Sequence, residues 1–80
     1  MYIQYSVRHK SGVEIKLIHR PVGGYLTVAI RRDFEKFLES GAQHKWTYSF
    51  RDRMDNVANT NIDYTIDFKD IASITEQEMT

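Results

Sequence analysis

Three kinds of side chain in this sequence have chemistry to offer: three histidines, a string of aspartates, and a run of cations threaded with aromatics. His9, His19 and His44 are widely spaced. None has a carboxylate at a fixed short spacing, so they form no metal signature. His19 falls on the apolar face of a strand and reads as a core histidine held by a hydrogen bond. His9, beside a turn, and His44, after a helix, read as exposed. Asp52, Asp55, Asp63, Asp67 and Asp70 offer carboxylates. A general acid/base pair needs two unequal environments, one raising a pKa and one keeping its group ionised. Asp63 and Asp67 instead alternate along one strand face, which gives them similar, solvated surroundings. The Asp/Asn-rich stretch 52–61 lacks the Asp-x-Asp-x-Asp-Gly order and closing Glu of a calcium loop. There is no nucleophile motif, phosphate loop or dinucleotide fingerprint, so the sequence points to no enzyme and no cofactor.

The cations make a better case. Arg31, Arg32, Lys36, Lys45, Arg51 and Arg53, with His44, crowd around one helix, and Tyr25, Trp46 and Tyr48 are interleaved. Cations on phosphates and rings on bases make a single-strand platform, so residues 25–53 are the candidate nucleic-acid-binding span. The opposing reading puts the rings in the core and the charges on helix flanks. A pI near 6.8 favours that reading, because dedicated nucleic-acid binders carry a basic excess.

Eighty residues make one domain. A chain of this size buries only roughly 60–65% of its extended surface, so a partner surface would add usefully to its stability. It has no cysteine, which excludes disulfides and thiolate metal sites. No apolar run suits a membrane span, and the start, Met-Tyr-Ile-Gln-Tyr, is no secretion signal, so the cytoplasm is the expected compartment. Net charge is zero but unevenly spread: residues 1–53 carry +5 and residues 54–80 carry −5. A compact fold that brings the two ends together would cancel them.

Alternation places the strands. Ile3, Tyr5 and Val7 point one way and Gln4, Ser6 and Arg8 the other; Val13, Ile15, Leu17 and His19 form the matching face of residues 13–20. Lys10-Ser11-Gly12 is a three-residue loop with Gly last, where a left-handed residue belongs. Closing it pairs Tyr5 with Leu17, Val7 with Ile15 and Arg8 with Glu14. A slip of one residue would spoil both faces. Residues 25–31 read as a third strand, paired Leu17 to Val28, Ile15 to Ile30 and Glu14 to Arg31, which makes an N-terminal meander.

Residues 33–41 read as the one helix. Asp33 is the expected N-cap, Phe34, Phe37 and Leu38 form an apolar stripe, and Gly41 is the stop. Trp46, Tyr48 and Phe50 then point inward from residues 46–51. Residues 52–60 read as irregular. Ile62, Tyr64, Ile66 and Phe68 point inward from residues 62–68. Residues 72–75 read as a short strand and residues 75–80 as a frayed tail.

The fold class expected is α+β: a mostly antiparallel sheet of five or six strands with one short α-helix packed on one face. Its core is Ile3, Tyr5, Val7, Ile15, Leu17, Val28, Ile30, Phe34, Phe37, Leu38, Phe50, Ile66 and Phe68. In general makeup the chain resembles short accessory or regulatory proteins of bacteria and phages. Small sheets leave strand edges open to pairing by another chain. Ile62, Asp63, Tyr64, Thr65 and Asp67 are therefore the candidate partner-binding residues, toward another protein or a second copy, and the first strand is a second candidate edge. The expected function is non-catalytic protein binding, with nucleic-acid binding as the rival.

Overall fold

A computed structural model describes residues 2–20, 27–52 and 60–79. The class is α+β, with one helix packed against antiparallel sheets. The strands are β1 (Tyr2–His9), β2 (Glu14–His19), β3 (Lys45–Asp52), β4 (Thr60–Asp67) and β5 (Ile71–Met79). The helix α1 (Ile30–Ser40) lies between β2 and β3, and a single 3-10 turn, Phe68–Asp70, joins β4 to β5. Five strands divide into a three-stranded sheet in the order β2-β1-β5 and a two-stranded ribbon, β3-β4.

The first hairpin has the register that alternation demands: Ile3 to His19, Tyr5 to Leu17, Val7 to Ile15 and Arg8 to Glu14. Gly12 sits at φ 95°, where a residue with a Cβ would be strained. The His9 N–H donates to the Val13 carbonyl at 2.8 Å and closes the loop. Ile3, Tyr5 and Val7 are all buried.

The outer neighbour of β2 differs from the expected meander. Ile30 and Arg31 belong to α1, and residues 27–29 lead into it without strand pairing; Tyr25 and Leu26 of the expected third strand lie outside the described residues. The cause is that Ile30 lies four residues before Phe34. The helical stripe therefore runs back to Ile30, which is fully buried. Asp33 accordingly falls inside the first turn, and Ala29 is the N-cap without a side-chain bond. The expected stop holds: Gly41 is left-handed at φ 66° and its N–H reaches the Phe37 carbonyl at 2.9 Å.

β5 takes the place beside β1, from Tyr2 opposite Met79 to His9 opposite Ile71. Residues 75–79 are thus half of a nine-residue strand and not a frayed tail, and β1 is a central strand and not an edge. The pairing sets the two chain ends side by side. A bulge explains why β5 is hard to read. His9 faces Ile71 but Arg8 faces Ser73, so one residue is extra. Ile71 and Ile74, three apart, are both buried, and simple alternation fails there.

Phe50 joins the two sheets. It is fully buried, edge-on to Tyr5 at 5.5 Å and to His19 at 6.3 Å. Phe68, from the 3-10 turn, packs on Phe34 at 5.3 Å and Phe37 at 5.9 Å, which holds the helix down. Tyr48, Ile71, Ile74 and His19 join the expected core, while Ile15, Val28 and Phe37 are half-buried. Leu38 departs from it. It is 64% exposed. Among the described residues no helix is long and apolar enough to cross a membrane.

Candidate functional site

The candidate partner-binding residues lie on β4, in the β3–β4 ribbon. Its register runs from Lys45 opposite Asp67 through Tyr48 opposite Tyr64 to Asp52 opposite Thr60. The Phe68 N–H donates to the His44 carbonyl at 2.8 Å, one step beyond the ribbon and in the same register. Hydrogen-bonded and non-bonded pairs alternate in antiparallel strands. Ile62, Tyr64 and Ile66 therefore spend their main-chain groups on β3. Asp63, Thr65 and Asp67 turn theirs outward. No described strand pairs with that outer edge.

The inward row of β4 grades from core to surface. Ile66 is 2% exposed, Tyr64 is half-buried, and Ile62 is 47% exposed. Ile62 thus does not reach the core that alternation assigns it. It lies toward the far end of the ribbon, opposite Phe50. Tyr64 anchors the middle, its hydroxyl 3.3 Å from His9 Nε2, and burial raises the pKa of that hydroxyl. On the other face Thr65 and Thr47 share a hydroxyl hydrogen bond of 2.9 Å, and Asp63 is exposed opposite Ser49.

Asp67 is the busiest polar residue of the strand. Its Oδ1 accepts from the Lys69 N–H at 3.0 Å and lies 3.0 Å from His44 Nδ1. The Lys69 N–H, and then His44, hold its carboxyl below the ordinary carboxylate value. So Asp63 and Asp67 do not share an environment, and His44 is partly buried beside a carboxylate and not simply exposed. Sequence spacing hides that pair because the ribbon brings it together. The local signal available was an Asp one residue before a Phe-Lys-Asp turn, the position of a capping carboxylate.

The basic span is dispersed. Arg31, Arg32 and Lys36 are exposed on α1, Arg31 in a 3.4 Å pair with Glu35, and Arg32 lies 3.9 Å from Asp33. Lys45 is exposed at the start of β3, Arg51 is placed near its end by backbone, and Arg53 and Tyr25 lie outside the described residues. The rings point elsewhere. Tyr48 is buried and its hydroxyl donates to Asp33 Oδ2 at 2.8 Å; burial first, then Asp33, raises its pKa. Trp46 stacks on Tyr48 at 6.0 Å and donates its indole N–H to the Gln43 carbonyl at 2.9 Å.

A groove of about 680 Å³ opens where residues 27–29 enter α1, lined also by Arg31, Arg32, Glu35 and Glu76. The Tyr5 hydroxyl accepts from the Val28 N–H at 2.7 Å and interacts with Glu76, and burial first of all lifts its pKa to about 12. Two arginines and two glutamates give this groove no net charge, and Arg31 is already engaged with Glu35. Among the described residues no three His, Asp or Glu side chains converge as a metal-binding group would. Comparisons with family models, with curated proteins and with solved structures find no match to this chain.

Proposed function

We propose that this chain is a small non-catalytic binding protein that acts through protein–protein contact, with the outer edge of β4 as its contact strand. The observation that carries the reading is the row of outward main-chain groups at Asp63, Thr65 and Asp67, on a ribbon of only two strands. A two-stranded hairpin is marginal by itself, and a third strand would satisfy its edge and extend its apolar face. Ile62, 47% exposed beside that edge, offers apolar surface to an incoming strand. The candidate residues Ile62, Asp63, Tyr64, Thr65 and Asp67 act together in this reading, the backbone supplying affinity and the side chains register.

Thr65→Pro tests it. Proline removes one outward N–H, and its own strand does not need that donor. The expected result is an unchanged circular-dichroism spectrum and loss of the complexes that the wild-type chain forms. Complexes that survive in the folded variant would overturn the reading. So would a turnover reaction that a single side-chain change abolishes.

A further inference from the structure

Resting on that reading, we infer that the occupant of the β4 edge is a second copy of the same strand, antiparallel, with the two-fold axis at Tyr64. The register carries this. Asp63, Thr65 and Asp67 present the outward main-chain groups, so a partner strand must bond to those positions. In self-pairing centred on Tyr64, Asp63 faces Thr65 of the other copy, and Thr65 faces its Asp63. Ile62 then faces Ile66, and Tyr64 faces Tyr64. These are non-bonded pairs, whose side chains approach most closely. The half-exposed end of the inward row thus gains an apolar neighbour at each copy.

The two neighbouring registers fail on charge. Centring on Asp63 sets that carboxylate against itself. Centring on Thr65 sets Asp63 against Asp67. Like charges directly opposite are destabilising. Centring on Tyr64 avoids both and overlaps nearly the whole of Thr60–Asp67. The product is a continuous four-stranded sheet, β3-β4-β4-β3, with the isologous contact that a two-fold dimer requires.

The outer edge of β5 behaves in the opposite way. β1 bonds to β2 through His9 and alternate residues, so it turns Gln4, Ser6 and Arg8 toward β5. The outward groups of β5 are then at Ile74, Glu76 and Glu78. Self-pairing centred on Glu76 or Gln77 sets glutamate against glutamate, and centring on Thr75 sets isoleucine against glutamate. The registers with the longest overlap thus disfavour a copy of the same strand.

Sedimentation of the full chain over a concentration series, with hydrogen exchange read at the Asp63 and Thr65 amides, tests the inference. The expected result is a dimer in which both amides are protected, the protection disappearing on dilution. Thr65→Lys places an ammonium opposite Asp63 at two symmetry-related positions and should tighten the dimer by about 2- to 30-fold, while Thr65→Asp should loosen it by a similar factor. Both variants lose the Thr47 hydroxyl bond, so their opposite signs isolate the pairing across the axis. A dimer indifferent to both changes, or one with freely exchanging Asp63 and Thr65 amides, overturns the inference. A monomer with freely exchanging amides overturns the second copy as occupant and leaves the edge reading standing for a different chain. A monomer with both amides protected overturns the edge reading as well.

Discussion

The three-stranded sheet and the two-stranded ribbon solve the same problem with unequal means. In the sheet, β1 is paired on both sides, and Ile3, Tyr5 and Val7 are all buried. In the ribbon, among the described residues, β4 is paired on one side only, and its inward row runs from a buried Ile66 to an Ile62 that is 47% exposed. The free edge of β5 carries Glu76 and Glu78, whereas the residues with outward groups along β4 are Asp63, Thr65 and Asp67, with the acids separated by a threonine. Like charges directly opposite disfavour the pairing of an edge with a copy of itself. The difference teaches that the spacing of a few acids decides which registers of an edge bring like charges together.

The sharpest way to break the comparison is to cut the joint between its two halves. Phe50→Ala removes the ring that contacts Tyr5 and His19 from a fully buried position. It should cost about 3–5 kcal/mol, and denaturant titration should show sheet and ribbon both losing stability. A loss confined to one of the two would mean that Phe50 does not couple them. Within β4, Ile66→Ala should cost about 2–5 kcal/mol. Ile62→Ala, four residues along the same row, should cost no more than about 1 kcal/mol, since half its surface is already wet. Equal costs would remove the gradient on which the open end of the ribbon rests.

Tyr5→Phe probes the sheet side. It leaves the buried Val28 N–H without its acceptor, at about 1–3 kcal/mol. It should also change the alkaline limb. Tyr5 ionises near pH 10 when unfolded and at about 12 when folded. Its stabilisation is therefore complete below pH 10 and is lost as the pH climbs toward 12. Thermal melts between pH 9 and pH 12 should fall less steeply in the variant.

Asp67→Asn gives the smallest effect and the opposite pH sign. The folded carboxyl has a depressed pKa, so its contribution is present above the ordinary carboxylate value and is lost as the pH falls through the folded one. Melts between pH 2 and pH 5 should be flatter for Asp67→Asn, and near pH 7 the variant should melt slightly below the wild-type chain. An unaltered acid limb would show that the contact with Lys69 and His44 contributes nothing to the fold.

Much of the architecture was legible from local pattern. The first hairpin, the loop at Gly12, the helix stop at Gly41 and the inward rows of β3 and β4 each rest on residues a few positions apart. Sequence periodicity reports such relations directly. The candidate site was legible only as a strand. That no described strand pairs with its outer edge depends on the other segments of the fold, and no residue of β4 encodes that. The pairing of His44 with Asp67 was hidden for the same reason, since the two meet only across the ribbon.

What the sequence by itself determined is the α+β class, the β1–β2 register, the single helix and the inward faces of the strands. Alternation, helical spacing and glycines at positive φ are properties of neighbouring residues. Only the tertiary structure decided that β5 lies beside β1, that Ile30 belongs to the helix and not to a strand paired with β2, and that Ile62 and Leu38 stay exposed. Those outcomes turn on contacts between segments far apart in the chain. The bulge between Arg8 and His9 illustrates the point: one extra residue lets Ile71 and Ile74 share a face, and only the partner strand reveals it.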